Sequence, residues 1–256
     1  MIAAFGLEYL QARLQARLSG HPDAYAWRRI ETARSLAVAL DSTRNTPFLA
    51  AFTSGLTPAA GVHAIERACR TRLRALVQEV ALWMPEEWHG AVAWTHVLVD
   101  LPLLFHLHSG APPLAWMHED AALRPYLDPD ADARRRALER GPLAPIASHW
   151  DAAASLRRAW FAEWRRRWPR RVERAPLDEL SDAVAVHLQR FPATPVAEAW
   201  QAREALRARV GRQFRRSVLH PAAAFGYLAL ALLDAERLRA ELSRRAVFEE
   251  VPVTPC

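Results

Sequence analysis

Three observations predict an all-α fold. Ala, Leu and Arg dominate the composition and glycine is scarce, 9 residues in 256, a mix that favours helix over sheet. Almost every segment carries apolar residues at helical spacing, and none alternates with period two. One block of sequence is also used twice. Thr57-Pro58 opens a long charged stretch that closes at Pro85, and Thr194-Pro195 opens one of nearly the same length that closes at Pro221. Each is preceded by a short apolar run (36–40 and 184–188) and followed by a very apolar segment (91–108 and 222–233) with an aspartate near its end, Asp100 and Asp234. A unit used twice predicts a chain built from stacked helical modules, an architecture that more often makes surfaces than reaction centres.

The elements follow in order. Leu7, Leu10, Leu14 and Leu18 mark one face of a first helix. Asp23 is a good N-cap for a second helix running to about Leu40. Thr57 and Thr194 are expected N-caps, each with a proline at the first helical position, where a missing N–H costs nothing. The helix after Thr57 carries the stripe Ile65, Cys69, Leu73, Leu76 and Val80. The one after Thr194 carries Val196, Trp200, Leu206, Val210 and Phe214. Residues 109–145 are rich in proline and hold the acidic run DPDADARRR, so they read as loops around one short helix. Ser148 is expected to cap a helix bearing Trp150, Leu156, Trp160, Trp164 and Trp168. The chain thus divides into an N-terminal helical lobe (1–110), a shortened irregular centre (111–147) and a C-terminal helical lobe (148–256).

Half of the residues are apolar, enough for a real core. The formal charge is +6, and all 34 basic residues are arginine. Total absence of lysine is a compositional habit, so the arginines alone do not point to a polyanion. Cys69 and Cys256 form neither a disulfide framework nor a metal pattern, and a reducing, cytoplasmic compartment is expected. The first residues lack a basic segment before an apolar run, so no signal peptide is expected. His96, Asp100, Pro102 and His106 interrupt the longest apolar run, and no membrane-spanning segment is expected.

Several clusters invite chemistry. His96, Asp100, His106, His108, His118 and Glu119 suggest a metal, and His96 and Asp100 would share a helix face. The specific metal spacings, HExxH, paired ExxH or CxxC, are absent. Asp128, Asp130, Asp132 and Glu139 stand at calcium-loop positions, but Ala133 replaces the turn glycine, and a helix-start acidic cluster facing Arg134–Arg136 fits better. The arginines interleaved with Trp160, Trp164 and Trp168 fit a nucleic-acid or anionic-membrane surface, or an amphipathic helix with its tryptophans packed inward. A protein-partner surface formed by Trp160, Trp164, Arg165, Arg166 and Trp168 is preferred to nucleic acid, because both residue types are enriched at interface hot spots. No phosphate-binding loop, nucleophile elbow or Cys–His pair is visible, so no catalytic, cofactor or metal residue is assigned.

Four places resemble the C-type subunit of archaeal and bacterial V-type ATPases and its eukaryotic relative, the d-type subunit of the membrane sector. YLQARLQARL, with Tyr9 and Arg13, is similar to the family's opening Tyr…Arg helix. LAVALDSTRNTPFLAAF, with Phe48, is similar to its turn into a short helix. VLVDLPLLFHLH carries Asp100 but has Pro102 near the place of the family's asparagine. HPAAAFGYLALALLDAERLRAEL, with Tyr227, Glu236, Leu238 and Arg239, is similar to the closing helix. The resemblance implies an all-helical funnel of pseudo-repeated three-helix lobes, a non-catalytic piece that couples a central shaft to a membrane rotor ring in ion or proton transport. Its partners would be shaft and ring subunits, and it would be cytoplasmic and peripheral to the membrane through them. The shortened centre leaves open two alternatives, a helical adaptor or assembly factor of another complex and a metal-dependent helical enzyme using the His96–His118 region.

Overall fold

A computed structural model describes residues 2–150 and 153–248, together with the side chains of all of these except 2–5, 108, 153, 154, 192 and 196. The side chains of His108 and Val196, and all of Cys256, therefore lie outside the described residues. The helices in chain order are α1 (Ile2–Leu18), α2 (Ala24–Glu31), α3 (Leu36–Thr43), α4 (Pro47–Thr53), α5 (Val62–Trp83), α6 (His89–Trp94), α7 (His96–His108), α8 (Ala131–Arg140), α9 (Ala153–Arg166), α10 (Ala175–Arg190), α11 (Ala199–Arg216) and α12 (Ala222–Val247). Short 3₁₀ turns link several of them, and no strand occurs among the described residues. The fold is all-α.

The chain folds as two compact units, one made of residues up to Glu86 and from Glu173 onward, the other of Glu87–Val172. These boundaries do not coincide with those suggested by composition near residues 110 and 148. In the first unit α12 is the hub: it packs most extensively against α5 and α11, and also meets α1, α3, α4 and α10. Its first half is built from small residues and a few large ones. Ala222, Ala223, Ala224, Gly226, Ala231 and Ala235 let neighbours approach, while Phe225, Tyr227 and Leu230 fill the space between them. Gly226 sits directly against Phe214 of α11, where an added Cβ would meet the Phe214 Cβ at 3.5 Å.

The apolar stripes lie where their spacing puts them. Ile65, Cys69, Leu73, Leu76 and Val80 of α5 are all buried, as are Leu206, Val210 and Phe214 of α11 and Leu10 and Leu14 of α1. The two charged helices of the repeated block are α5 and α11, and both pack on the one helix α12. The apolar segment after the first copy, α6 and α7, belongs to the second unit. The copies thus share a partner helix instead of each closing a lobe of its own.

Helix starts differ from expectation in four places. Asp23 does cap α2, accepting from the Ala26 N–H at 2.7 Å, but α2 stops at Glu31, and Ser35 starts a separate α3 by accepting from Val38 N–H. Hydroxyls that bond to nearby backbone offer the chain an alternative to continuing a helix, and Thr32 does so toward the Arg28 carbonyl at 2.8 Å. Neither Thr57 nor Thr194 is an N-cap. The Thr57 carbonyl accepts from Ala60 N–H in a turn, and Gly61 precedes α5. Thr194 donates back to the Arg190 carbonyl at 3.3 Å, and α11 begins after a 3₁₀ turn, Val196–Glu198. Thr-Pro marks turns here because its hydroxyl and fixed φ suit a turn as well as a helix start. Ser148 lies inside the 3₁₀ turn Ala144–His149 and caps no helix.

The second unit contains α6–α9 and the irregular centre, which is indeed loops and 3₁₀ turns around one short helix, α8. Asp130 caps α8 by accepting from Asp132 and Ala133 N–H, and Arg134 donates to the Asp128 and Pro129 carbonyls. The acidic run is therefore a helix start and its arginine clamp. Leu103, Trp116, Met117, Leu123 and Leu127 form one core cluster. Trp160, Trp164 and Trp168 form another, rings stacked or edge-on at 5.6 and 5.0 Å, and Trp94 Nε1 donates to the Trp160 carbonyl at 3.2 Å. The span Glu86–Leu107 is long and apolar enough to cross a membrane by length and composition. It comprises a 3₁₀ turn and two helices that break at Thr95, and 56% of its most apolar window is buried.

Gly141 ends α8 where a Cβ would lie 2.6 Å from the Ala137 carbonyl oxygen and 3.1 Å from the Tyr126 hydroxyl. Gly141→Ala must move backbone as well as a ring. It is expected to cost about 1–3 kcal/mol, as overpacking does, measured by urea denaturation of the full chain.

Candidate functional site

Charged side chains concentrate along the second half of α12. Asp234, only 1% exposed, accepts two hydrogen bonds from the Arg207 guanidinium on α11, at 2.9 and 3.2 Å. A carboxylate oxygen cannot donate, so His21, in the turn after α1, donates to it from Nδ1 at 2.7 Å. The His21 ring stacks on Phe48 at 4.0 Å and meets Tyr227 edge-on at 5.5 Å; its Nε2 is buried without a hydrogen-bond partner. One to two turns further on, Arg239 bridges Glu236 (2.7 Å) and Glu66 of α5 (2.9 Å), and Glu66 also holds Arg70 at 2.5 Å. Arg237 lies between the rings of Trp27 and Trp200, at 4.4 and 4.6 Å, and pairs with Glu31 and Glu204. Buried Arg245 donates to the Ala33 and Ile30 carbonyls and to Glu241.

Burial opposes ionisation of Glu66, but the charges of Arg70 and Arg239 and their hydrogen bonds outweigh it and hold the carboxyl below its usual range. Burial pushes the neighbouring Cys69 thiol up to about 12, and the Tyr227 phenol likewise to about 12. A thiol protonated at neutral pH is no nucleophile. The seam therefore fixes helices against one another, and neither the Cys69 thiol nor the Tyr227 phenol is ionised there near neutral pH.

The second unit holds a cavity of about 160 Å³, lined on one side by His96, Val97, Asp100 and Leu104 of α7 and on the other by residues 121–123, Pro125, Tyr126, Pro142 and Leu143. His96 Nδ1 contacts the Ala93 carbonyl at 2.6 Å and must carry the proton there, which leaves Nε2 of the neutral ring as an acceptor. Asp100 is buried. Burial first, and then the Asp100 charge, push the Tyr126 phenol above its ordinary value, so it stays a neutral hydroxyl.

The residues singled out by sequence are distributed as follows. Tyr227, Glu236 and Arg239 belong to the α12 seam. Tyr9 is 54% exposed on α1, with the Arg13 guanidinium 5.9 Å from its ring and 4.9 Å from that of Trp83. Asp100 and His96 share one wall of the cavity. The expected partner surface is corrected: Trp160, Trp164 and Trp168 are 2–4% exposed and make the core of the second unit, because their spacing of four puts them on the inward face of α9 and the turn after it. Arg165 and Arg166 remain on the surface, Arg166 held by Glu163 at 2.6 Å. Among the described residues no three His, Cys, Asp or Glu side chains come close enough to hold a metal. His106 is instead bonded to the Pro112 carbonyl, and His118 lies exposed in a 3₁₀ turn. Sequence reasoning passed over His21, Glu66 and Arg207, whose partners Asp234 and Arg239 are distant along the chain, and over Tyr126 and Gly141.

Comparison with protein families, curated proteins and solved structures finds no match to this chain.

Two outcomes test this electrostatic reading. A depressed carboxyl stabilises the fold above its unfolded value and loses that contribution as pH falls through its folded value. Glu66→Gln is thus expected to cost ~3 kcal/mol near neutrality, the deficit shrinking as pH falls through and below the ordinary carboxylate range, in urea titrations at stepped pH. In peptide-resolved mass spectrometry after iodoacetamide treatment at pH 8, Cys69 is expected to stay unlabelled in the native protein and to label in urea.

Proposed function

We propose that this chain is a non-catalytic helical component of a larger protein assembly, and that the assembly is a rotary ATPase of the V type. In that role it is a collar of the C/d type that couples a central shaft to the membrane rotor ring and takes no part in bond chemistry. The observation that carries the reading is where the resemblance falls. Tyr227, Glu236 and Arg239, the residues of the closing helix that resemble the family, belong to the seam by which α12 grips α5, α11 and the turn after α1. A body that transmits torque has to resist sliding of its helices. Buried charge pairs across helices supply that resistance, since any displacement leaves a charge without its counter-charge. The seam itself holds a protonated thiol and charges already paired, in keeping with a mechanical role.

Partner contact would then use exposed apolar groups of the first unit, among them Tyr9, Tyr25, Val38 and Leu82, together with surface arginines. The chain would be peripheral to the membrane through its partners. A second reading, an adaptor of another complex, is favoured by one departure: Pro102 inside α7 stands near the place of the family's asparagine.

Purification of the tagged full-length chain from its native host, with cross-linking, decides between these. Shaft and ring subunits of a rotary ATPase are expected in stoichiometric amounts. Recovery of a different stable complex would sink the ATPase reading and leave the adaptor; recovery of the chain alone would sink both.

A further inference from the structure

We propose that the turn between α11 and α12 docks on an anionic lipid bilayer, with Val218 and Leu219 seated among the acyl chains and the outer arginines of α11 on the headgroups.

The turn is the closed end of an antiparallel helix pair. Arg207 of α11 reaches Asp234 of α12, and further along Phe214 lies against Gly226, so the two helices meet through residues 217–221. Two aliphatic side chains face water there, Val218 57% exposed and Leu219 47%. Leu219 has φ 54, and among the described residues it is the one non-glycine residue in the left-handed region. A bulky side chain is an outlier in that region, where glycine sits without strain. The turn is held from several sides. Leu219 N–H donates to Oε1 of buried Gln11 on α1 at 3.3 Å. His220 Nε2 donates to the Glu173 carbonyl at 3.0 Å, and its Nδ1 accepts from Ala222 N–H at 3.1 Å. None of these bonds uses the Leu219 side chain, so a glycine at that position keeps them all. The fold carries strain for a side chain that it leaves half in water, and the use of that side chain lies outside the fold.

The surroundings define what it meets. From residue 205 to 221 the chain has no Asp or Glu. Arg209, Arg212, Arg215 and Arg216 are exposed, and none makes a hydrogen bond or ion pair among the described residues. They lie on the face of α11 away from buried Leu206, Val210 and Phe214. Arg215 and Arg216 also complement the C-terminus of their helix, a role that fades beyond the last turn and does not account for Arg209 or Arg212. Glu173, whose carbonyl helps to hold the turn, is followed by Arg174, so it does not reverse the sign. Aliphatic groups beside unpaired cations match a bilayer that presents acyl chains beneath anionic headgroups. Single-stranded nucleic acid would need rings to stack on, and the only ring in the turn, His220, has both nitrogens bonded. Protein hot spots are rich in Trp and Tyr and poor in Leu and Val.

Each arginine near an anionic surface is worth about fivefold in partitioning. Four of them, with two half-exposed aliphatic groups, give reversible attachment on about the scale of one myristoyl chain. The proposal does not rest on an assembly role, since a vesicle carries neither shaft nor ring.

The full-length protein is floated with vesicles of phosphatidylcholine and phosphatidylserine in about a 2:1 ratio, and with vesicles of phosphatidylcholine alone, at low ionic strength. It is expected to bind the mixed vesicles, to bind phosphatidylcholine alone at least ~tenfold more weakly, and to be released at about 1 M salt, where the Debye length is about 3 Å. Leu219→Gly is expected to remain folded by circular dichroism, since it relieves the left-handed strain, and to lower partitioning about fivefold. Arg212→Gln combined with Arg216→Gln is expected to lower it about 25-fold, fivefold for each charge, and as a change of two exposed groups it keeps the test decisive if Leu219→Gly does not fold. Equal binding to both kinds of vesicle overturns the proposal, as does the absence of vesicle binding. Undiminished binding of folded Leu219→Gly or of the double variant overturns it as well. Binding of polyglutamate or duplex DNA without binding of vesicles overturns it in favour of an acidic peptide or a nucleic acid.

Discussion

Asp234 sits in the middle of the longest helix with almost no contact with water. An unpaired carboxylate there would cost several kcal/mol in desolvation, and the fold avoids that cost only if Arg207 and His21 both reach it. Arg207 is on α11, and His21 follows α1. Satisfying one buried charge therefore fixes three parts of the chain relative to one another, although they are 27 and 213 residues from Asp234 in sequence. The same rule repeats along α12. Arg239 needs Glu66 of α5, Arg237 needs Glu31 of α2 and Glu204 of α11, and Arg245 needs the Ala33 and Ile30 carbonyls. Apolar contact alone tolerates small slips along a helix, because one alanine surface resembles the next. The charges remove that freedom. A shift of one turn would strand several of them at once, so the hub has one register.

What was legible in the sequence follows from which interactions are local. The stripes on α5 and α11 were legible because burial imposes a period of 3.6, which can be read without knowing the partner. Asp23 was legible as a cap because its acceptor and its donor, the Ala26 N–H, are three residues apart. Thr57 and Thr194 carried the same local sign and went the other way, since a Thr-Pro pair suits a turn equally well. The repeated block was a real pattern of composition, but it could not say that α5 and α11 would lean on the same helix. His21–Asp234 and Glu66–Arg239 left no local sign at all. The tryptophans of α9 show the limit of residue-type arguments: aromatic and arginine residues at helical spacing fit an interface and a core equally, and the inward direction of Trp160, Trp164 and Trp168 is a matter of tertiary packing.

Tyr227, Glu236 and Arg239 have a physical meaning that needs no family. Tyr227 packs beside His21, whose Nδ1 reaches Asp234, and Arg239 spans α12 and α5. They are the positions at which a change would loosen the hub. Their part in the pattern speaks first to how the unit holds together. Surface residues, which choose partners, carry little of the pattern beyond Tyr9 and Arg13.

Pro102, the departure from that pattern, can be placed in the same terms. Proline has no N–H, so inside α7 it leaves the Leu98 carbonyl without its helical donor. Such a loss is costly only where water cannot replace it. Pro102 is exposed, and it lies two residues from both Asp100 and Leu104, on the side of α7 away from the wall those two share with His96. The break therefore falls on the solvent side, where water can bond the freed carbonyl, and the cavity wall keeps its helical spacing. A substitution that looks disruptive in the sequence is in this position compatible with both the helix and the pocket it forms.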